Sequence, residues 1–147
     1  MTTAQIASLA TDDLNQLSAT QFGYLTTRQI AGLSTEQVAN LESTDLQALS
    51  AGQIAALTTA GIVALDSTDI GNLSATQVAG MTTAQVRAIE TNELAALTGN
   101  AFGALTSAQI GGLSTEQLGA LASDQLNVLT ASQLAGLTTA QIASLAT

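Results

Sequence analysis

An uninterrupted eight-residue repeat runs through this sequence and limits the folds that the chain can adopt. From Thr2 onward the chain divides into eighteen octapeptide units without an insertion, as in TTAQIASL and STEQVANL. If the positions of a unit are numbered one to eight, position five is always apolar, and position eight is Leu in every unit except those with Met81 and Ile89. Self-similarity at a fixed short period is the signature of a repeat architecture. We therefore treat 1–147 as a single repeat array, with complete units from 2 to 145.

An eight-residue period fits neither one continuous helix nor one continuous strand. Eight residues at ~100° each overshoot two helical turns by ~80°, so the apolar stripe would wind around the helix. A coiled coil is excluded for the same reason, because its seam requires repeats of seven or eleven residues. In a strand, positions five and eight would point to opposite faces. The chain must therefore turn once in every unit.

The polar residues of a unit indicate where this turn lies. Position one is mostly Ser or Thr, and position four is Gln in twelve units. A hydroxyl residue followed three residues later by Gln, Asp or Glu is the capping-box pattern of a helix N-terminus. We expect Ser34 to cap a helix, Gln37 to close the box, and Val38 and Leu41 to face inward. In the next unit Glu42 occupies the cap position, and we expect its carboxylate to serve the helix N-terminus.

These features predict an all-α solenoid of very short capped helices, one helix per unit. A helix of about six residues is ~9 Å long and buries too little apolar surface to stand alone, so neighbouring units must share a core. Ala and Gly dominate positions six and seven, which fits a close approach of backbones. The alternative is a β-solenoid of triangular cross-section, although such a fold favours more β-branched residues than one per unit.

A second, longer spacing suggests three units per superhelical turn. Three units carry an acidic residue at both position one and position four, and such a unit recurs at every third unit. The pairs are Glu42 with Asp45, Asp66 with Asp69, and Glu90 with Glu93. Three units per turn would stack them into two acidic columns. Both positions belong to the capping box, and we interpret the acidic residues as caps. Calcium binding across the columns stays open, because carboxylate oxygens suit that ion.

The residues available for chemistry argue against an enzyme. The chain has no His and no Cys, and its only basic side chains are Arg28 and Arg87, so no base can activate its many Ser and Thr hydroxyls. Adjacent carboxylates such as Asp12 and Asp13 could act as an acid–base pair only if burial raised one pKa. We predict no catalytic, cofactor-binding or metal-ligating residue, no cofactor and no small-molecule substrate.

The charge of the chain limits its partners. A net charge of −9 without a basic patch argues against nucleic acid and against anionic membrane surfaces. No apolar run approaches the ~20 residues that span a bilayer, so we predict no membrane insertion. The first residues, MTTAQIASLATDD, lack the basic and apolar blocks of a secretory signal.

The repeated unit S/T-T-x-Q-I/L/V-A-x-L, as in 138–145, resembles the octapeptide arrays of long bacterial surface and secreted proteins that are adhesin-like. The resemblance covers the whole chain and rests on four positions per unit. It implies an extracellular or bacterial cell-surface location and a role as spacer, stalk or scaffold. This chain is shorter than those arrays and shows no recognisable adhesive or secretion module.

The two ends of the sequence suggest how the array could be used. The segment TTAQIASLAT occurs at 2–11 and again at 138–147. Natural solenoids usually shield their terminal units with polar residues. Both ends of this array carry the ordinary unit instead, so we expect both to expose apolar stacking surfaces. Such a contact is heterologous and would propagate head to tail.

We therefore predict a non-enzymatic structural repeat protein that self-associates end to end into an extracellular filament or scaffold. One alternative is a stalk or spacer segment of a larger bacterial surface adhesin. Another is a protein-binding solenoid, for which Tyr24 is a candidate contact residue, whereas Phe22 and Phe102 at position five are expected in the core.

Overall fold

The structure, a computed structural model, describes residues 1–145. Within these residues the chain forms eighteen α-helices of four to six residues, one in every unit, and no strand. The prediction of an all-α solenoid is confirmed, and the triangular β-solenoid is wrong. None of the described helices is long and apolar enough to cross a membrane.

The helices are α1 (Thr3–Ala7), α2 (Thr11–Leu14), α3 (Ala19–Gly23), α4 (Thr27–Ile30), α5 (Thr35–Ala39), α6 (Ser43–Ala48), α7 (Ala51–Ala56), α8 (Thr59–Val63), α9 (Ser67–Gly71), α10 (Ala75–Gly80), α11 (Thr83–Ala88), α12 (Thr91–Ala96), α13 (Gly99–Gly103), α14 (Ser107–Gly111), α15 (Thr115–Gly119), α16 (Ser123–Asn127), α17 (Ala131–Ala135) and α18 (Thr139–Ser144).

Most helices begin with the capping box that the sequence predicts. At the start of α5, Ser34 Oγ accepts a hydrogen bond from the backbone N–H of Gln37 (3.1 Å), and Gln37 Oε1 accepts one from the backbone N–H of Ser34 (2.9 Å). This reciprocal pair gives partners to amides that the first turn of a helix leaves free. Val38 and Leu41 face the core, as expected.

The corner between two units is made by extended residues and needs no left-handed conformation. Leu49 ends α6 with φ −69° and ψ 134°, and Ser50, the N-cap of α7, follows with φ −68° and ψ 162°. Among the residues that the structure describes, none has a positive φ, glycine included. The small residues near the corners therefore serve close contact rather than an unusual backbone conformation.

Helices that lie three apart in the chain pack against each other, as α7 does with α10 and α9 with α12. Three units thus form one turn of the solenoid, which we call a coil. The three-unit spacing of the acidic pairs reflects this geometry, since residues three units apart occupy equivalent places on successive coils.

The core is a continuous column of side chains from positions five and eight. Ile54 is fully buried at position five, and Leu73 is 3% exposed at position eight. Phe22 and Phe102 are fully buried, as predicted. Between coils the backbones nearly touch, so that a Cβ atom built on Gly111 would lie 2.6 Å from the carbonyl oxygen of Gly136. The preference for Ala and Gly at positions six and seven follows from this contact.

Candidate functional site

The glutamine side chain at position four joins one coil to the next. The Nε2 group of Gln85 donates hydrogen bonds to the carbonyl oxygens of Ile54 (2.9 Å) and Leu57 (2.7 Å), which lie 31 and 28 residues earlier. The Oε1 atom of the same side chain accepts from the backbone N–H of Thr82 (2.7 Å). One amide therefore caps its own helix and also binds the carbonyl groups at the end of α7, in the coil before.

We call the glutamines that make such bonds between coils the glutamine ladder. In the described part of the chain its members are Gln29, Gln37, Gln53, Gln77, Gln85, Gln109, Gln117, Gln125, Gln133 and Gln141. All of them except the half-buried Gln29 are at most 5% exposed. A carboxylate can only accept, whereas an amide both accepts and donates. The ladder thus explains why position four is Gln rather than Glu in most units.

The sequence reasoning placed position four correctly in the capping box but missed its bond to the neighbouring coil. The signal was the predominance of Gln over Glu, since either residue closes a capping box. Only the second hydrogen bond distinguishes the two, and its partner lies on another coil, more than three units away along the chain.

The first coil exposes polar groups. Gln5 and Gln21, at position four of their units, are exposed, and each uses Oε1 to cap its own helix. Within residues 1–145 no group accepts from the Nε2 atom of either side chain. Ile6, at position five, is fully buried. The expectation of an apolar surface is therefore wrong at this end, because position five is covered by the coil that follows it.

The last coil exposes the opposite set of groups. Gln133 and Gln141 are buried, while Leu134 and Ile142 at position five are 46% and 54% exposed. Within residues 1–145 no further coil covers these two side chains. The last coil therefore exposes apolar side chains, as expected, and the two ends of the array differ.

The acidic residues at position one do not behave alike. Asp66 Oδ1 accepts from the backbone N–H groups of Thr68 (2.8 Å) and Asp69 (2.9 Å), and so caps α9. Glu42 makes no cap bond with its side chain at α6. The expectation for Glu42 is wrong, because its extra methylene group gives it poorer capping geometry than Asp.

At position four, Asp45, Asp69 and Glu93 stand in place of ladder glutamines and are 2%, 8% and 7% exposed. Glu93 Oε2 accepts from the backbone N–H of Glu90 (3.2 Å), so it keeps the capping function. Asp69 Oδ1 accepts from the Ser43 hydroxyl (3.3 Å), whereas Asp45 Oδ2 is buried without a hydrogen-bond partner. None of the three carboxylates can donate to the coil before it, so the ladder is interrupted here.

Burial raises the pKa of the carboxyl groups of Asp45, Asp69 and Glu93 above their ordinary values. The acidic residue at position one of the same unit raises each pKa further. Hydrogen bonds to the carboxylates of Asp69 and Glu93 oppose the rise. The two acidic columns therefore lie side by side and disfavour each other's charge.

The other candidate residues lie apart from these columns. Asp12 and Asp13 are exposed in the first turn of α2, and Tyr24 is 79% exposed at the end of α3. Among residues 1–145, no three acidic, His or Cys side chains are arranged to hold a metal ion.

Short capped helices that stack three to a coil define this chain as a helical repeat solenoid. The ALTTAQ repeat matches it at residues 6–42, 38–75, 62–99, 86–123 and 102–131. The chain therefore belongs to the ALTTAQ repeat family. The six letters correspond to positions seven, eight and one to four, as in GLTTAQ at 136–141, and thus to the corner, the cap and the ladder glutamine. No curated protein matches the chain.

Proposed function

We propose that this chain is a non-enzymatic structural protein that associates end to end with further copies of itself into an extracellular filament or scaffold. The observation that carries the proposal is the complementarity of its two ends. The last coil exposes the apolar side chains of Leu134 and Ile142, and the first coil exposes the amides of Gln5 and Gln21.

A second copy seated with its first coil on the last coil of another would repeat the internal junction. Inside the array, the amide of Gln85 lies against the carbonyl groups of Ile54 and Leu57. Between copies, the free amides of Gln5 and Gln21 would meet the equivalent corner carbonyls of the last coil. The position-five side chains of the last coil would be covered in the same step. Because the two surfaces differ, the contact is heterologous and does not close on itself.

The partner in this proposal is the protein itself, with no role for nucleic acid, membrane insertion or a small-molecule substrate. The resemblance of the octapeptides to adhesin-like arrays supports a location outside the cell or on a bacterial surface. The same junction would also continue into further units of a longer array. In that case the chain would act as a stalk or spacer of a larger surface adhesin, which is the second candidate.

The test is electron microscopy and light scattering of the purified, untagged chain across a concentration series. We expect filaments of constant, narrow width whose length grows with concentration. Ile142→Asp should abolish them, since it places a charge on the exposed apolar end. Val63→Asp is the matched control, because Val63 is 45% exposed on the side of the solenoid, away from both ends.

Single short rods at the highest concentration would contradict self-association and would favour the stalk. Filaments that form equally well with Ile142→Asp would show that copies join through another surface. That result would overturn the end-to-end arrangement even if the protein assembles.

A further inference from the structure

Three carboxylates interrupt the glutamine ladder at equivalent places on successive coils. The residues at this place on five successive coils are Gln21, Asp45, Asp69, Glu93 and Gln117, each three units after the one before. These buried carboxylates are therefore confined to one column in the middle of the array, with a glutamine on either side of them, whereas Gly61 and Ala101 interrupt the other two columns without a charge.

The ladder geometry identifies the groups that each carboxylate faces. At Gln117 the amide nitrogen donates to the carbonyl oxygens of Val86 (3.3 Å) and Ile89 (2.8 Å), 31 and 28 residues earlier. The same spacing, counted back from Glu93, leads to the carbonyl groups of Ile62 and Leu65. In this register an ionised carboxylate would set oxygen against oxygen, where the ladder elsewhere has a donor against an acceptor.

A protonated carboxyl group removes this conflict. It carries one O–H donor and keeps an acceptor oxygen, as an amide does. The Glu93 side chain has the same length as glutamine, so its O–H group can reach the place of the amide N–H. Asp45 and Asp69 are one methylene group shorter, and protonation there chiefly removes a buried negative charge.

The surroundings of Glu93 are almost entirely acidic. Glu90 precedes it in the same unit, α9 brings Asp66 and Asp69, and α15 carries Glu116. Arg87 lines an open surface pocket together with Glu90 and Glu116, but no arginine lowers the pKa of Glu93.

The surroundings of the other two carboxyl groups are also acidic. Asp69 has Asp66 in its own unit and lies between α6 and α12. The unit of α6 carries Glu42 and Asp45, and the unit of α12 carries Glu90 and Glu93. Asp45 has Glu42 in its own unit and the acidic pair of α9 on the next coil, while α3 on its other side carries no charged residue.

We propose that Asp45, Asp69 and Glu93 form a proton-operated segment of the solenoid. Protonation lets Glu93 bind the coil before it as a ladder glutamine does, and removes the charges of the other two, so the central coils tighten. Ionisation breaks that contact and loosens the same coils, while the glutamine ladder on either side is unaffected. This inference does not depend on end-to-end association.

The direction of the pH response follows from the raised pKa values of these groups. An acid whose pKa is higher in the folded than in the unfolded state binds its proton more tightly when folded. The stabilisation is complete below the ordinary values of 3.8 for Asp and 4.5 for Glu, and it is lost as the pH rises through the raised pKa. A proton fits this column better than a metal ion, because no metal-holding group of three side chains occurs in residues 1–145.

The test is the thermal transition of the full chain from pH 3.5 to 7.5, with the triple variant Asp45→Asn/Asp69→Asn/Glu93→Gln. The wild-type midpoint should fall with rising pH by roughly 4 °C or more relative to that of the variant. The matched control is Asp12→Asn/Glu36→Gln/Asp124→Asn, which removes the same three charges from exposed positions. It should keep the wild-type slope. Carboxyl ¹³C NMR should show that the pKa of Glu93 lies above the ordinary value of 4.5 for Glu.

Three results would overturn the proposal. One is a triple variant that keeps the wild-type pH slope, and another is a Glu93 carboxyl whose pKa is the ordinary value of 4.5 for Glu. The third is a rise of the wild-type midpoint on adding Ca²⁺ at neutral pH that the triple variant lacks, because a metal cation rather than a proton would then neutralise the three carboxylates. Hydrogen exchange provides the local readout, since protection should change with pH in the central coils and stay constant in the terminal coils.

Discussion

Gln85 and Leu57 are joined by a hydrogen bond of 2.7 Å between Nε2 and the carbonyl oxygen, although 28 residues separate them in the chain. The last carbonyl groups of any helix lack a partner within that helix, and in a helix of six residues these are most of the carbonyl groups. The ladder supplies these partners from the next coil. In a solenoid, where each unit contacts only its neighbours, such a bond couples the stability of one coil to that of the next.

The first prediction concerns this ladder bond. Gln85→Glu should keep the capping acceptor for Thr82 but place a carboxylate against the carbonyl groups of Ile54 and Leu57. Because Gln85 is 2% exposed, the lost hydrogen bonds and the buried charge should lower the free energy of unfolding by about 2–4 kcal/mol at neutral pH. Chemical denaturation at pH 7 measures the change.

The control for this prediction is the same substitution in the first coil. Gln5 caps its helix, but within residues 1–145 no group accepts from its Nε2 atom, so Gln5→Glu should change the free energy of unfolding by less than about 0.5 kcal/mol. The measurement is made at a concentration where the chain is monomeric. Equal losses from the two variants would show that position four acts only through its own helix cap.

The second prediction concerns one of the two units in which Ala stands at the helix cap, the other being that of Ala10. α16 begins after Ala122, which offers no side-chain acceptor, whereas α15 begins after Ser114, whose hydroxyl accepts from the backbone N–H of Gln117 (3.0 Å). Ala122→Ser should therefore raise the free energy of unfolding by about 1 kcal/mol. Ala131→Ser, one residue after a cap, should not raise it. A thermal melt of the two variants checks the difference.

Much of this fold could be predicted from the sequence because its determinants are local. The capping box of Ser34 and Gln37 lies within one unit, and so does the apolar pair of Val38 and Leu41. The coil of three units was visible only where acidic residues broke the uniformity of the repeat. In a strictly uniform array no residue marks the number of units per coil.

The bonds between coils could not be predicted in the same way. The partner of Gln85 is a backbone carbonyl, which every residue possesses, so nothing in the sequence identifies Leu57 as the acceptor. The difference between the two ends has the same origin. It depends on whether the side chain of Ile6 or Ile142 is covered by the following coil, which the octapeptide pattern does not state.

The third prediction tests the core assignment of position eight. Leu73 is 3% exposed, and Leu73→Asp would bury a carboxylate without a partner. The free energy of unfolding should fall by more than about 4 kcal/mol, with loss of helical circular dichroism in the array. Val63→Asp places the same charge on a side chain that is 45% exposed and should leave the thermal transition nearly unchanged. An unchanged transition for Leu73→Asp would show that position eight is not part of the core.

The fourth prediction uses two glycines that each end a helix at position six, Gly111 in α14 and Gly119 in α15. Alanine is the better helix former, and by that argument alone both substitutions to Ala should stabilise by up to about 1 kcal/mol. A Cβ at Gly119 would have no atom within 4 Å, whereas one at Gly111 would lie 2.6 Å from the carbonyl oxygen of Gly136 on the next coil.

Gly119→Ala should therefore raise the midpoint of thermal unfolding. Gly111→Ala should lower it, because backbone cannot move away as a flexible side chain can, and overpacking costs about 1–3 kcal/mol. Since neither glycine has a positive φ, backbone strain does not contribute to the difference. If both variants were stabilised equally, the spacing between coils would be wider than the contact of Gly111 with Gly136 requires.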